Sequence, residues 1–137
     1  MNPSTKNIVA VLIGIVLGSV VNMGLITASG HLIPPPPGVN VADMDSLKAS
    51  MHLFEPKHFL MPFLAHAVGT LAGAFGAAKL AANRAQLLAF IVGGFFLLGG
   101  IASAFMLPAP AWFIGLDVLV AYLPMAWLGW KLSGKAA

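Results

Sequence analysis

Residues 87–107 read LLAFIVGGFFLLGGIASAFML, a stretch without a single charged side chain. A helix needs about 20 mostly apolar residues to cross a hydrocarbon core about 30 Å thick, because each residue adds about 1.5 Å. The stretch has that length, and its glycines are ordinary in membrane helices. It therefore predicts a transmembrane helix.

Three other stretches satisfy the same criterion, at about 8–28, 58–82 and 112–132. Only 8% of the residues are charged and 59% are hydrophobic, whereas a soluble domain carries roughly 25% charged residues. The first stretch exceeds the roughly 7–15 apolar residues of a signal peptide, so we expect a retained helix. We predict an all-α fold, a four-transmembrane-helix bundle, with residues 1–137 as one domain.

The basic residues predict the orientation of this bundle. Those near the short connections and the chain ends all fall on the side of the termini: Lys6, Lys79, Arg84, Lys131 and Lys135. The long first connection has Lys48 and Lys57 against Asp43, Asp45 and Glu55, and the third connection is uncharged. Because basic residues favour the cytoplasmic side, we expect a multi-pass protein of the cell inner membrane with both termini cytoplasmic.

The outer loop contains apolar residues at helical spacing, namely Met44, Leu47, Met51 and Phe54. Acidic residues stand at the start of this segment and basic residues follow, the arrangement that a helix dipole favours. We predict a short amphipathic helix on the outer membrane surface. The alternative is an irregular loop.

Small residues recur at four-residue spacing on two of the predicted helices. Gly14, Gly18 and Asn22 share one face of the first span, and Gly69 and Gly73 share one face of the second. Close backbone approach drives helix association in lipid. These stripes therefore predict tight packing, within the bundle or between copies of the chain.

Proline inside the fourth span predicts a change of direction there. Pro124 removes one backbone hydrogen bond, which favours a kink.

Each span also carries one polar residue at a similar depth: Asn22, His66, Ser103 and Asp117. Intramembrane polar groups are costly and often functional. One interpretation is a buried polar site open to the outside, in which His66 and Asp117 relay protons, orient a base or bind a metal. The other is a structural layer that fixes helix register through hydrogen bonds.

A second polar cluster, His52, Glu55 and His58, precedes the second span. These residue types can bind zinc, but solvated side chains at a helix start are the default interpretation. The chain has no cysteine, which excludes disulfides and thiolate metal sites. Nucleophile-elbow, phosphate-loop and zinc-protease motifs are also absent. We expect no cofactor.

Three segments carry a family resemblance. They read SLKASMHLFEPKHF at 46–59, FLAHAVGTL at 63–71 and FMLPAPAWF at 105–113. Together they resemble an uncharacterised family of small bacterial four-helix integral membrane proteins. The resemblance implies a bacterial inner-membrane protein and assigns no activity or catalytic residue.

Two functions remain open at the level of sequence. The first is a non-enzymatic bundle that acts as an oligomer or as a small subunit of a larger membrane complex. The alternative is a binding or transport unit for a small molecule, ion or lipid, or a membrane enzyme, that uses His66 and Asp117. Expected partners are the lipid bilayer and copies of itself or other membrane subunits. Nucleic acid is not expected, because the basic residues form no patch.

Overall fold

The computed structural model describes all residues, Met1–Ala137, and contains helices but no strand. The helices are α1 (Pro3–Leu32), α2 (Met44–Ser50), α3 (Lys57–Leu80), α4 (Ala85–Met106), α5 (Ala111–Val120) and α6 (Leu123–Ser133). Four segments are long and apolar enough to cross a membrane: α1, α3, α4 and the α5–α6 pair. The predicted all-helical class and the four candidate spans are confirmed.

The first helix is longer at both ends than the predicted 8–28. The side-chain oxygen of Asn2 accepts a hydrogen bond from the Thr5 amide at 2.8 Å, and Pro3 occupies the first helical position. Such a start is favourable, because an N-cap satisfies a free amide and proline has none to lose. The helix then continues to Leu32, two residues before Pro34. Hydropathy marks the apolar part of the helix, whereas capping residues mark its ends.

The fourth span is divided into two helices. Pro124 lacks the amide that would bond to the carbonyl of Val120, and its ring crowds that carbonyl. α5 accordingly ends at Val120 and α6 begins at Leu123, with Tyr122 between them in a non-helical conformation (φ −115°, ψ −80°). The predicted kink is thus a break. Pro62, which the sequence analysis did not single out, lies inside α3 without ending it.

α3 is the central helix and contacts α1, α4, α5 and α6. Its glycine stripe faces that of α1. A Cβ atom added to Gly73 would lie 2.5 Å from the carbonyl oxygen of Gly14, and one added to Gly18 would lie 2.7 Å from that of Gly69. Both distances are far below van der Waals contact, so the two backbones touch. The structure therefore brings the two predicted stripes together within one chain.

Side-chain hydrogen bonds connect the helices at one end of the bundle, here called the termini end. The side-chain oxygen of Asn7 accepts from the amide of Ala82, and its amide nitrogen donates to Asn83. Lys79 Nζ donates to the carbonyl of Ser133 at 3.2 Å. The helix ends at this side are thereby tied to one another.

The segment over residues 33–56 covers the opposite end, here called the loop end. A turn closes with the Val39 amide donating to the carbonyl of Pro36, and Gly38 adopts the positive φ of 83° that such a turn requires. Asp43 then caps α2 by accepting from the Asp45 amide. α2 leads through a 3-10 turn, Met51–Leu53, toward α3. The predicted short helix is present, and the irregular-loop alternative is wrong.

Candidate binding site around His66 and Asp117

Asp117 is the centre of a hydrogen-bonded group of three side chains, here called the polar triad. Its Oδ1 lies 2.8 Å from Nδ1 of His66, and its Oδ2 accepts from the hydroxyl of Tyr122 at 3.0 Å. The rings of His66 and Tyr122 stack, with centroids 5.9 Å apart. Asp117 is only 5% exposed. Both carboxylate oxygens thus have partners, as burial of a charged group requires.

The break between α5 and α6 determines where Tyr122, the third member of the triad, lies. Residues five apart lie on different faces of a continuous helix, so Tyr122 would not reach Asp117 without the break ahead of Pro124. Gly100 on α4 leaves the space for the phenol, since a Cβ there would lie 2.5 Å from the Tyr122 hydroxyl. Tyr122 can therefore reach Asp117 because the helix breaks ahead of Pro124 and because Gly100 leaves space for its ring.

A cavity of about 340 Å³, here called the apolar chamber, opens beside the triad at the loop end. Helices α1, α3, α4 and α5 and the segment over residues 33–56 all contribute to its wall. The residues that the segment contributes are Ile33, Pro35, Val41, Leu47, Met51 and Phe54. Its size falls in the range of about 300–1,000 Å³ that is typical of small-molecule sites.

The same residues show what the apolar face of this segment contacts. Leu47, Met51 and Phe54 line the chamber, and Met51 is buried. Of the four predicted apolar positions, only Met44 is among the exposed ones. The apolar face of this segment therefore lines the chamber, and its position on the outer membrane surface stays a prediction.

A second cavity of about 210 Å³, here called the polar chamber, lies deeper between α1, α3 and α4. Its polar wall residues are Asn22, His66, Thr70, Ser103 and Tyr122. The side-chain oxygen of Asn22 is buried and has no hydrogen-bond partner. His66 and Ser103 line both chambers, so the triad stands where an apolar space meets a polar one.

All four polar residues predicted from sequence border these two chambers. His66 and Asp117 are in direct contact, whereas Asn22 and Ser103 line the polar chamber without bonding to either of them. Tyr122 is not among the site residues predicted from sequence. It is the only tyrosine of the chain, which is the one signal that pointed to it.

No protein-family model matches the chain. No curated protein and no solved structure matches it either. The resemblance to a family of small bacterial membrane proteins therefore stays an expectation.

The candidate zinc ligands are not assembled. Nδ1 of His58 accepts a hydrogen bond from the backbone amide of Glu55 at 2.8 Å, and the Glu55 carboxylate lies 3.5 Å from Lys57. His52 is exposed. No group of three or more His, Cys, Asp or Glu side chains is arranged to bind a metal ion. The Nδ1 atom of His58 is therefore occupied by a backbone amide.

The triad suits ligand recognition better than nucleophilic catalysis. His66 uses Nδ1 for Asp117, and its Nε2 makes no hydrogen bond to the protein. A carboxylate behind an imidazole fixes the ring and its proton. Ser103 borders both chambers but does not bond to His66, so no serine nucleophile is paired with this base. The free Nε2 is available to a bound molecule.

Proposed function

We propose that this chain is a multi-pass membrane protein that binds a small, mostly apolar molecule with a polar head. The observation that carries this proposal is the position of the His66–Asp117–Tyr122 triad between the two chambers. The apolar chamber would take the hydrocarbon part of the molecule. The polar head would lie against His66, where a few convergent polar groups can fix its orientation.

Membrane insertion is supported by the apolar exterior of the helices. Side chains that recur every four residues along α1 are more than half exposed: Ile8, Leu12, Val16 and Val20. Such a surface would be unfavourable in water and is ordinary in lipid. We place the bundle in a bacterial inner membrane, with the termini end cytoplasmic and the loop end outside.

Association as an oligomer or a small subunit, the first hypothesis from sequence, stays a prediction. Its motivations are the short connections, the glycine stripes on the first two spans and the lack of a soluble catalytic domain. Gly14, Gly18, Gly69 and Gly73 contact one another within one chain, so these residues are not free for a second copy. We therefore favour the binding unit.

Orientation is testable with a reporter. A reporter that is active only in the cytoplasm, fused after Ala137, should be active, because the basic residues hold the termini end on that side. The same reporter inserted after Gly38, in the turn of the loop end, should be silent. Activity at Gly38 and silence at Ala137 would contradict the orientation.

Binding is testable by extraction. Wild-type protein purified in detergent should release a small apolar molecule into organic solvent, detected by mass spectrometry. The His66→Phe variant should release markedly less, because it lacks the polar contact. The matched control is His31→Phe, which changes an exposed histidine that lines neither chamber. Equal yields of the same molecules from all three proteins would show that the chambers do not hold them.

A further inference from the structure

We infer that Nε2 of His66 carries a proton and donates it in a hydrogen bond to a neutral carbonyl oxygen of the bound molecule. This inference rests on the proposed function and narrows the ligand class from any amphipathic molecule to a neutral carbonyl compound with a hydrocarbon portion. The starting observation is that Nδ1 of His66 and both oxygens of Asp117 already have partners inside the protein.

The net charge of the triad depends on its own members. Asp117 is the only Asp, Glu, Lys or Arg residue that lines either chamber. The other histidine of the apolar chamber, His58, accepts a hydrogen bond at Nδ1 and is therefore neutral. No neighbouring charge compensates the triad. In a membrane interior, where a net charge is costly, its members must balance one another.

The number of protons on His66 and Asp117 determines whether Nε2 of His66 is a donor. Two arrangements of the His66–Asp117 pair carry no net charge: a protonated imidazole with a carboxylate, and a neutral imidazole with a protonated carboxyl group. In the first, both ring nitrogens bear protons. In the second, Oδ2 of Asp117 accepts from the Tyr122 hydroxyl, so the carboxyl proton is on Oδ1 and is donated to Nδ1, and the single ring proton is on Nε2. With the Tyr122 hydrogen bond in this direction, Nε2 is a donor in both cases, and only a net negative pair would make it an acceptor.

The ligand must offer a group that can pair with a donor at Nε2 of His66. A donor at Nε2 requires an acceptor, and an anionic acceptor would give the site the net charge that the triad avoids. A neutral carbonyl oxygen, as in a ketone, an ester or a ring carbonyl, satisfies both conditions. The apolar chamber of about 340 Å³ gives room for the hydrocarbon portion of such a compound.

The test uses three probes with one carbon skeleton: a long-chain alkane, the corresponding methyl ketone and the corresponding secondary alcohol. Binding to the full-length protein in detergent micelles is measured by equilibrium dialysis, with protein-free micelles giving the background of micelle partitioning. We expect the ketone to bind roughly two- to tenfold more tightly than the alkane, the range for one net hydrogen bond. We expect the alcohol to gain nothing over the ketone. The carbonyl stretch of an isotope-labelled ketone should shift to lower frequency on binding.

A pair of variants assigns the effect to His66. His66→Phe should lose the preference for the ketone, and His31→Phe, which changes an exposed histidine that lines neither chamber, should keep it. Loss of the preference in His31→Phe, or its survival in His66→Phe, would overturn the assignment to Nε2.

The remaining outcomes separate this inference from the proposed function. A preference for the alcohol, with ketone and alkane equal, would show that Nε2 is an acceptor and would overturn the inference. Equal binding of all three probes above background would overturn it too, while leaving an apolar binding site. If no probe binds above the protein-free background, the inference and the proposed function are both wrong.

Discussion

Gly73→Leu is expected to lower the free energy of unfolding more than any other single substitution between the helices. Even a Cβ atom at this position would lie 2.5 Å from the carbonyl oxygen of Gly14, which is backbone and cannot rotate away. Extra carbon atoms in a well-packed interior typically cost about 1–3 kcal/mol. We expect that loss for Gly73→Ala and a larger one for leucine, measured by thermal unfolding in detergent.

Gly24→Leu is the matched control for this prediction. Gly24 lies on α1, the helix that faces Gly73, and a Cβ there would have no atom within 4 Å. Its leucine variant should unfold like the wild-type protein, because the new side chain would extend into lipid or detergent. Equal losses for Gly24→Leu and Gly73→Leu would show that leucine in these helices is harmful regardless of contact.

The depth of the polar residues was predictable because a helix advances by a fixed rise per residue. His66 and Asp117 each follow a recognisable helix start at the loop end, and counting from those starts placed them at a similar level. Depth alone does not show which side chains meet. Their contact at 2.8 Å depends on the rotation of α3 and α5 about their axes, which packing against the other helices determines.

Tyr122 was not predictable from helical periodicity. A proline inside a transmembrane stretch predicts a kink, but not whether the helix merely bends or stops. Because α5 ends at Val120, the Tyr122 side chain does not point in the direction that a continuous helix would give it. The space for its ring comes from Gly100, on a helix that the sequence alone does not bring near it.

The segment over residues 33–56 shows a further limit of prediction from periodicity. Leu47, Met51 and Phe54 have helical spacing, and the short helix is present. The pattern identifies an apolar face but not what the face contacts, because a membrane surface and an apolar chamber are equally hydrophobic. Only the arrangement of α1, α3, α4 and α5 around the chamber decides between the two.

Asp117→Ala is expected to cause the largest loss of stability among substitutions in the site. It removes the partner of His66 Nδ1 and of the Tyr122 hydroxyl at once. A buried polar group left without a partner costs about 1–3 kcal/mol. The loss at His66 should fall at the low end, because its side chain is 25% exposed, whereas Tyr122 is buried. Thermal unfolding of the variant in detergent measures the sum.

The double variant Asp117→Ala with His66→Ala shows whether the two residues act on each other. If they do, its loss should be smaller than the sum of the two single losses, because His66 no longer remains behind unpaired. Strictly additive losses would mean that the 2.8 Å contact contributes nothing to stability.

Asp117→Asn separates a binding site from a structural polar layer. The amide has nearly the same shape, and its oxygen and nitrogen can still pair with His66 and Tyr122, so the variant should fold with a small loss. It removes the carboxyl group, however, and a neutral His66 beside an amide can then hold its proton on either ring nitrogen. Nε2 is no longer fixed as a donor. A binding site therefore predicts a folded Asp117→Asn protein that releases less bound molecule and prefers the ketone less. A structural layer predicts a folded protein whose bound molecule is unchanged, and that result would overturn the role assigned to the triad.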